Sequence, residues 1–284
     1  MDTLETRELR YFVAVAEELH FGRAAERLGM AQPPLSRAIQ QLERRLGVSL
    51  LERNRRGVRL TGAGEVLLHE GRAALDATSA AARRTRRAGG TGGPRNRLVL
   101  AVKAAASHEL LRKLLDAYAA EPDAAEIEVL PCGMCEQPEL LRDGRADVAL
   151  MHAPFNSLAG FDSEELTTEG QIAVLPAGHP LAAHPALSLA DVTDIPDLPL
   201  ARWPNHGVYP PGPGPEIHNQ TQLAQLIALG RTVAIFPDSA RSWLWAGHTA
   251  VPLTDAPPVV THIAWPAHSR SLALAGLVRT AARL

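Results

Sequence analysis

In the stretch AQPPLSRAIQQLERRLG, residues 31–47, Gln32, Ser36, Arg37, Gln40 and Gln41 lie off an apolar stripe made by Leu35, Ile39, Leu42 and Leu46. These are side chains that read base edges. Glutamine pairs bidentately with adenine, arginine with guanine, and serine reaches either a base or a phosphate. Pro33 and Pro34 stand at the front of the segment, where a helix tolerates proline because its first N–H groups have no intrahelical partner. They mark an abrupt helix start after a tight turn. A solvated helix face has the same composition, so the segment alone does not decide between solvent and nucleic acid. The decision comes from VSLLERNRRGVRLT (48–61), two short extended pieces around Gly57 that carry Arg53, Arg55, Arg56 and Arg59. A basic hairpin placed just after such a helix supplies phosphate and minor-groove contacts.

A second chemistry is offered by CGMC, Cys132–Cys135. A C-x-x-C is a redox pair, half of a zinc site, or two inert cysteines at a strand end. The sequence has no second C-x-x-C, and His152 would have to be recruited from another strand to make a metal set. No metal site is therefore expected, with Cys132 and Cys135 kept as weak candidates. G-x-S-x-G, G-x-x-x-x-G-K and H-E-x-x-H are all absent, which removes the usual nucleophile, phosphate and zinc-protease arrangements. Neither an enzyme nor a cofactor is expected.

The elements that must hold these residues follow from periodicity. Residues 7–19 place Leu9, Phe12, Val13 and Ala16 at helical spacing. A short helix is expected over 23–28, stopped by Gly29, and Gly47 closes the proline-initiated helix. Thr61 is placed to cap a long helix over about 62–88 whose apolar face is small: Ala63, Val66, Leu67, Ala74, Ala77 and Ala81. So shallow a stripe needs a second copy to pack on. GGTGGPR (89–95) is a linker.

Charge divides at the same place. Residues 1–90 carry 16 basic and 11 acidic side chains, and the remaining 194 carry 13 and 20, so a module at +5 precedes one at −7. The first suits a polyanion. Beyond the linker, strands at 97–106, 127–132 and 146–151 alternate with helices at 107–120 and 138–144, which predicts a parallel sheet. A second such unit is expected from 171–176, through a helix at 220–229, a strand at 232–237, a helix near 238–246 and a strand at 261–266. A final helix covers 270–283. No apolar run reads as a signal peptide or a transmembrane helix, and two cysteines make no disulfide framework, so a cytoplasmic location is expected.

Residues 7–72 resemble the DNA-binding domain of the LysR-type transcriptional regulators, densely from Phe21 through Leu60 and again at LTGAG (60–64). The rest is similar to that family's effector-binding domain in element order and in GHPLAAHPALSLADV (178–192). The resemblance implies an all-α winged helix-turn-helix over 1–60, a dimerising linker helix over 61–88 and a hinge at 89–95. It also implies an α/β, periplasmic-binding-protein-like domain over 96–284, divided into subdomain I (about 96–168 and 252–284) and subdomain II (about 169–251). The DNA contacts it implies are Gln32, Pro33, Ser36, Arg37, Arg53, Arg55 and Thr61, to which the polar helix face adds Gln40 and the basic hairpin Arg59, on an interrupted inverted repeat of promoter DNA. Effector contacts fall on Ser107, Gly133, Met134, His152, Trp203, Gln220 and Thr221, with an organic anion as the ligand. A homodimer or homotetramer is implied, RNA polymerase is a further partner, and no membrane is involved. Many relatives carry a cation where His152 stands. The run 202–220, with Pro204, Pro210, Pro211, Pro213 and Pro215, departs from the helix the family has there; it reads as a rigid loop in which Trp203, His206 and Tyr209 line the cleft mouth or pack the loop.

Overall fold

The computed structural model describes residues 4–54, 57–89, 97–104, 106–204 and 208–284. The expectations for Arg55, Arg56, His206 and linker residues 90–95 lie outside the described residues, as does the side chain of Arg53. The chain forms two compact units, the first built on Met1–Gly89 and the second on Gly90–Leu141 and Arg145–Leu284.

The first unit is α1 (Thr6–Glu18), α2 (Phe21–Arg27), α3 (Gln32–Leu46), a hairpin of β1 (Leu51–Asn54) and β2 (Gly57–Leu60), and α4 (Gly62–Gly89). Phe12, Val15, Ala24, Leu35, Ile39, Leu42 and Leu50 are buried together, so the stripe read on α3 is its inner face. Helix α2 begins earlier than its apolar pattern suggests, because the His20 side chain accepts from the Arg23 N–H and caps it. Glu17 of α1 pairs with Arg27 of α2 and Arg72 of α4, each at 2.7 Å. Burial raises the Glu17 pKa, but Arg72 and Arg27 outweigh it and hold the carboxylate below its usual range. Pairs this exposed contribute at most about 1 kcal/mol each. Beyond Leu67 and Gly71, the outer face of α4 has little to rest on within its own unit: Val66 is 64% exposed, and Ala63, Ala74, Ala77 and Ala81 are exposed too.

The second unit holds two sheets. The first has the order β4 (Glu126–Cys132), β3 (Arg97–Lys103), β5 (Val148–Ala153), β10 (Val259–Pro266), β6 (Phe161–Glu169). Helices α5 (His108–Ala119), α6 (Gln137–Arg142) and α9 (Leu272–Ala281) belong with it. Strands β3, β4 and β5 run parallel, whereas β10 is antiparallel to both of its neighbours. The second sheet is β8 (Ala234–Pro237), β7 (Gln171–Pro176), β9 (His248–Pro252), with α7 (Leu189–Thr193) and α8 (Gln220–Ala228). All three of these strands are antiparallel, which corrects the expectation of a second parallel unit; parallel pairing survives only as single bridges such as Leu187 with Leu253. Residues 238–243 form a 3₁₀ turn rather than an α-helix.

The first unit is set by one close approach. Thr61 Oγ1 donates to Ser49 O and accepts from the Gly64 N–H, capping α4 against the hairpin. A Cβ at Gly64 would lie 2.1 Å from the Leu50 carbonyl oxygen, so only glycine fits there. Gly64→Ala is expected to lower the stability of this unit in urea titrations by roughly 1–3 kcal/mol; unchanged stability would mean that strand and helix can separate freely.

Candidate functional site

On α3, Gln32, Pro33, Arg37, Gln40 and Gln41 are exposed and Ser36 is half-buried, while Leu35, Ile39 and Leu42 fix the helix from beneath. The outward face therefore consists of amide and guanidinium donors and acceptors on a rigid support. Arg59 is exposed on β2, beside this helix in sequence and on the hairpin that follows it. Thr61 takes the capping role expected of it at the start of α4. Both its hydroxyl proton and its N–H are committed, to Ser49 O and Leu50 O, so it positions the hairpin and α4 and has no donor left for a phosphate.

In the second unit a cavity of about 290 Å³ opens between the two sheets. One side is made by Lys103, Met134, Cys135, Gln137, His152, Phe155 and Asn156; the other by Trp203, Pro210, Gln220, Ile235, Phe236, Ser239 and Trp243. Phe236 meets Trp203 edge-on at 6.3 Å and Trp243 edge-on at 5.2 Å, so the second side is a continuous aromatic wall. The floor is a buried polar chain. Ser107 Oγ and His152 Nε2 are 2.8 Å apart, the His152 backbone N–H donates to Asn156 Oδ1 at 2.8 Å, and Asn156 Nδ2 donates to Gln137 Oε1 at 3.5 Å. His152 Nδ1 is buried without a partner among the described residues.

Electrostatics single out one residue. Lys103 ends β3 with its ammonium 5.6 Å from the centre of the Phe236 ring, a cation–π distance. Burial pushes its pKa down, opposed by the sulfurs of Cys135 and Cys132. Burial, then Lys103 and His262, push His152 down to about 4, so the imidazole is neutral near pH 7. The Cys132 thiol is raised to about 12 by burial and by Glu136, and Cys135 is raised by burial. Each sulfur faces a backbone carbonyl, Cys132 that of Val102 and Cys135 that of Phe155. Protonated thiols are poor nucleophiles and poor metal ligands. Among the described residues no three His, Cys, Asp or Glu side chains are gathered to hold a metal.

Two family descriptions match the chain: "Bacterial regulatory helix-turn-helix protein, lysR family" over residues 6–65 and "LysR substrate binding domain" over residues 91–283. The chain belongs to the LysR family. It is 32% identical to the transcriptional regulator IlvR of Caulobacter vibrioides over 97% of both chains. It is 37% identical to the regulator AlsR of Bacillus subtilis over 71% of this chain and 66% of that one. The full-length regulator CbnR, solved in complex with its target DNA, superimposes with a TM-score of 0.53 at 26% identity, covering 99% of each chain. Membership in the LysR family makes this a DNA-binding transcriptional regulator with a ligand-binding domain; the other reading the sequence admits, a solute-binding protein with an added dimer module, is not favoured. The thiol or metal sensor at Cys132 and Cys135 is not favoured either, since burial keeps both thiols protonated.

Of the effector contacts that the LysR resemblance implies, the cavity gathers Met134, His152, Trp203 and Gln220. Ser107 stands one hydrogen bond behind His152, its backbone left-handed at φ 51 and its hydroxyl making no cap for α5. Gly133 and Thr221 are not in the lining: the Gly133 N–H is taken by Glu136, and α8 is capped by Asn219, two residues before the exposed Thr221. His152 lies inside β5 rather than after it. Tyr209 packs the loop, with its hydroxyl on Ile217 O and His218 Nδ1. Arg202 fixes the same loop by donating to the Gly214 and Pro210 carbonyls. Sequence reasoning passes over Lys103; the available signal was a lysine ending an apolar run in a chain with two lysines among 29 basic residues.

Because the folded His152 titrates near 4 and an unfolded histidine near 6.5, acidification through that window protonates only the unfolded chain. Stability present above pH 6.5 is then lost at about 1.4 kcal/mol per pH unit on going down. The difference in urea stability between wild type and His152→Gln is expected to shrink by that slope on acidification; a pH-independent difference would mean that the folded imidazole protonates freely.

Proposed function

We propose that this protein is a one-component regulator that reads an interrupted inverted repeat in promoter DNA and changes its grip when a small organic anion fills the cavity between its two sheets. The observation that carries the reading is the pairing of two sites in one chain: an exposed Gln/Ser/Arg face on α3, and a cavity holding a cation without a carboxylate. Gln32, Ser36, Arg37 and Gln40 take the base edges from the N-terminal part of α3, which is the part a recognition helix inserts into the major groove. Pro33 sets the start of the helix and packs near the backbone. Arg53, Arg55 and Arg59 neutralise phosphates from the hairpin. Thr61 acts one step back, by holding that hairpin on α4.

The exposed face of small side chains on α4 supports a homodimer, in which two such helices cover each other and bring two α3 helices to successive half-sites. Pairs of dimers then make a tetramer, and ligand entry shifts the population between two assemblies on the promoter, with RNA polymerase as the machinery that responds. No helix among the described residues is long and apolar enough to cross a membrane, and a promoter-bound regulator works in the cytoplasm. The protein acts by binding rather than by catalysis, consistent with the regulators it resembles along its whole length.

Two measurements test this. Arg37→Ala should lose roughly 1–3 kcal/mol of affinity for the upstream intergenic duplex in gel-shift titrations, and the loss should shrink on unrelated sequence. Equal affinity of variant and wild type for the specific duplex removes α3 from its assigned role. Footprints on the same duplex should change in length or pattern with a small organic acid present; identical footprints across a panel of such acids remove ligand control.

A further inference from the structure

The lining of the cavity is unusually one-sided. Among the described residues it contains one cation, Lys103, and neither aspartate nor glutamate. No carboxylate of the described residues pairs with that ammonium; what faces it is the Phe236 ring at 5.6 Å. An unpaired charge in a desolvated site is costly, and ionisable groups held in that way cluster at functional sites. The opposite wall is apolar and aromatic, with the rings of Trp203, Phe236 and Trp243 set edge to face.

We propose that the cavity takes an aromatic monocarboxylate, its ring against Trp203, Phe236 and Trp243 and its carboxylate on Lys103. This rests on the reading of the cavity as the effector site, and it assigns that site a ligand class. Three observations converge on it. The volume, about 290 Å³, is at the lower end of small-molecule pockets and suits a compact one- or two-ring acid. Aromatic rings prefer edge-to-face and offset partners, which the wall offers on the faces its own pairs leave open. The charge count also limits the ligand to one negative group. Lys103 is the one cation in the lining among the described residues, and with the cavity empty His152 is held low by burial, so one carboxylate matches the charge the site supplies. A cationic ligand would meet Lys103 with like charge. A sugar or polyol would find the floor amides of Gln137 and Asn156 already bonded to each other and to the backbone of Leu150 and His152.

The test is calorimetric titration of the full-length protein with four probes: trans-cinnamate, cinnamamide, cyclohexanecarboxylate and phthalate. Cinnamate is expected to bind, cinnamamide to bind roughly thirtyfold or more weakly because the charge pair is lost, and the saturated and dianionic acids to bind more weakly than cinnamate. Lys103→Met should erase the preference for cinnamate over its amide while leaving the weak binding of the amide in place. Its thermal midpoint without ligand should equal or exceed wild type, since the substitution deletes an unpaired buried charge; Lys103→Arg should retain the preference. Equal affinity for acid and amide, an undiminished preference in Lys103→Met, phthalate binding as tightly as cinnamate, or no heat from any probe each overturns the assignment. Failure here is separate from failure of the regulatory reading. If cinnamate binds but promoter footprints do not change, the ligand class holds and the regulation falls; if footprints change with some other acid while cinnamate gives no heat, the reverse is true.

Discussion

Strands β6 and β10 pair antiparallel from Glu169 opposite Val259 to Phe161 opposite Pro266, and they are the points where the chain leaves the five-stranded sheet and returns to it. Everything between them, including the aromatic wall, is in effect an insertion into a sheet that is complete without it. Only Gly170 separates β6 from β7. The residues on either side of that glycine fasten the two crossings. Glu169 accepts from the Ser239 N–H and hydroxyl just past the end of β8, and Gln171 Nε2 donates to the Pro257 carbonyl just ahead of the returning strand. The two sheets can move relative to each other only as these two adjacent crossings allow, which is the geometry of a hinge with a cleft beside it.

Lys103 shows what such a cleft demands of the rest of the fold. The strand that carries it is buried almost along its length, with Leu98 through Val102 packed on both faces of the sheet. A lysine at its end is held where the strand points, with little freedom to seek water. Buried Ser107, His152, Asn156 and Gln137 are likewise committed to one another. Such polar groups contribute little net stability and are easily replaced by apolar ones, so their presence in the floor of the cavity marks a place where the fold serves binding rather than its own stability.

The DNA-binding unit was nearly transparent in the sequence because its signals are local. Pro33, Gly47, Gly57 and the stripe Leu35–Ile39–Leu42 each act within a turn or two, and they agree with one another. The ligand half was legible in its buried parallel strands and opaque elsewhere. Strand β6, FDSEELTTE, is an edge strand with polar residues on both faces, so it has no apolar alternation to read. The short strand β9 and the five-residue α7 fall below the length at which periodicity speaks, although the Ser188–Asp191 capping box was a usable signal for the latter. The cavity was only half foreseen for a related reason. Its walls come from segments more than a hundred residues apart, Lys103 and Phe236 among them, and no spacing within either segment records that they face each other.

The aromatic wall has an optical consequence. The chain has four tryptophans and none precedes residue 203, so the DNA-binding unit is dark in tryptophan emission. Trp203 and Trp243 sit on the cavity, Trp245 is stacked on His248 nearby, and Trp265 belongs to the other sheet's core. Tryptophan light from this protein thus comes wholly from its ligand-binding half, with two of four emitters at the cavity and one in the opposite sheet as an internal reference. The molecule carries its own fluorescent reporter of cavity occupancy, one that promoter DNA touching the other unit leaves largely unlit.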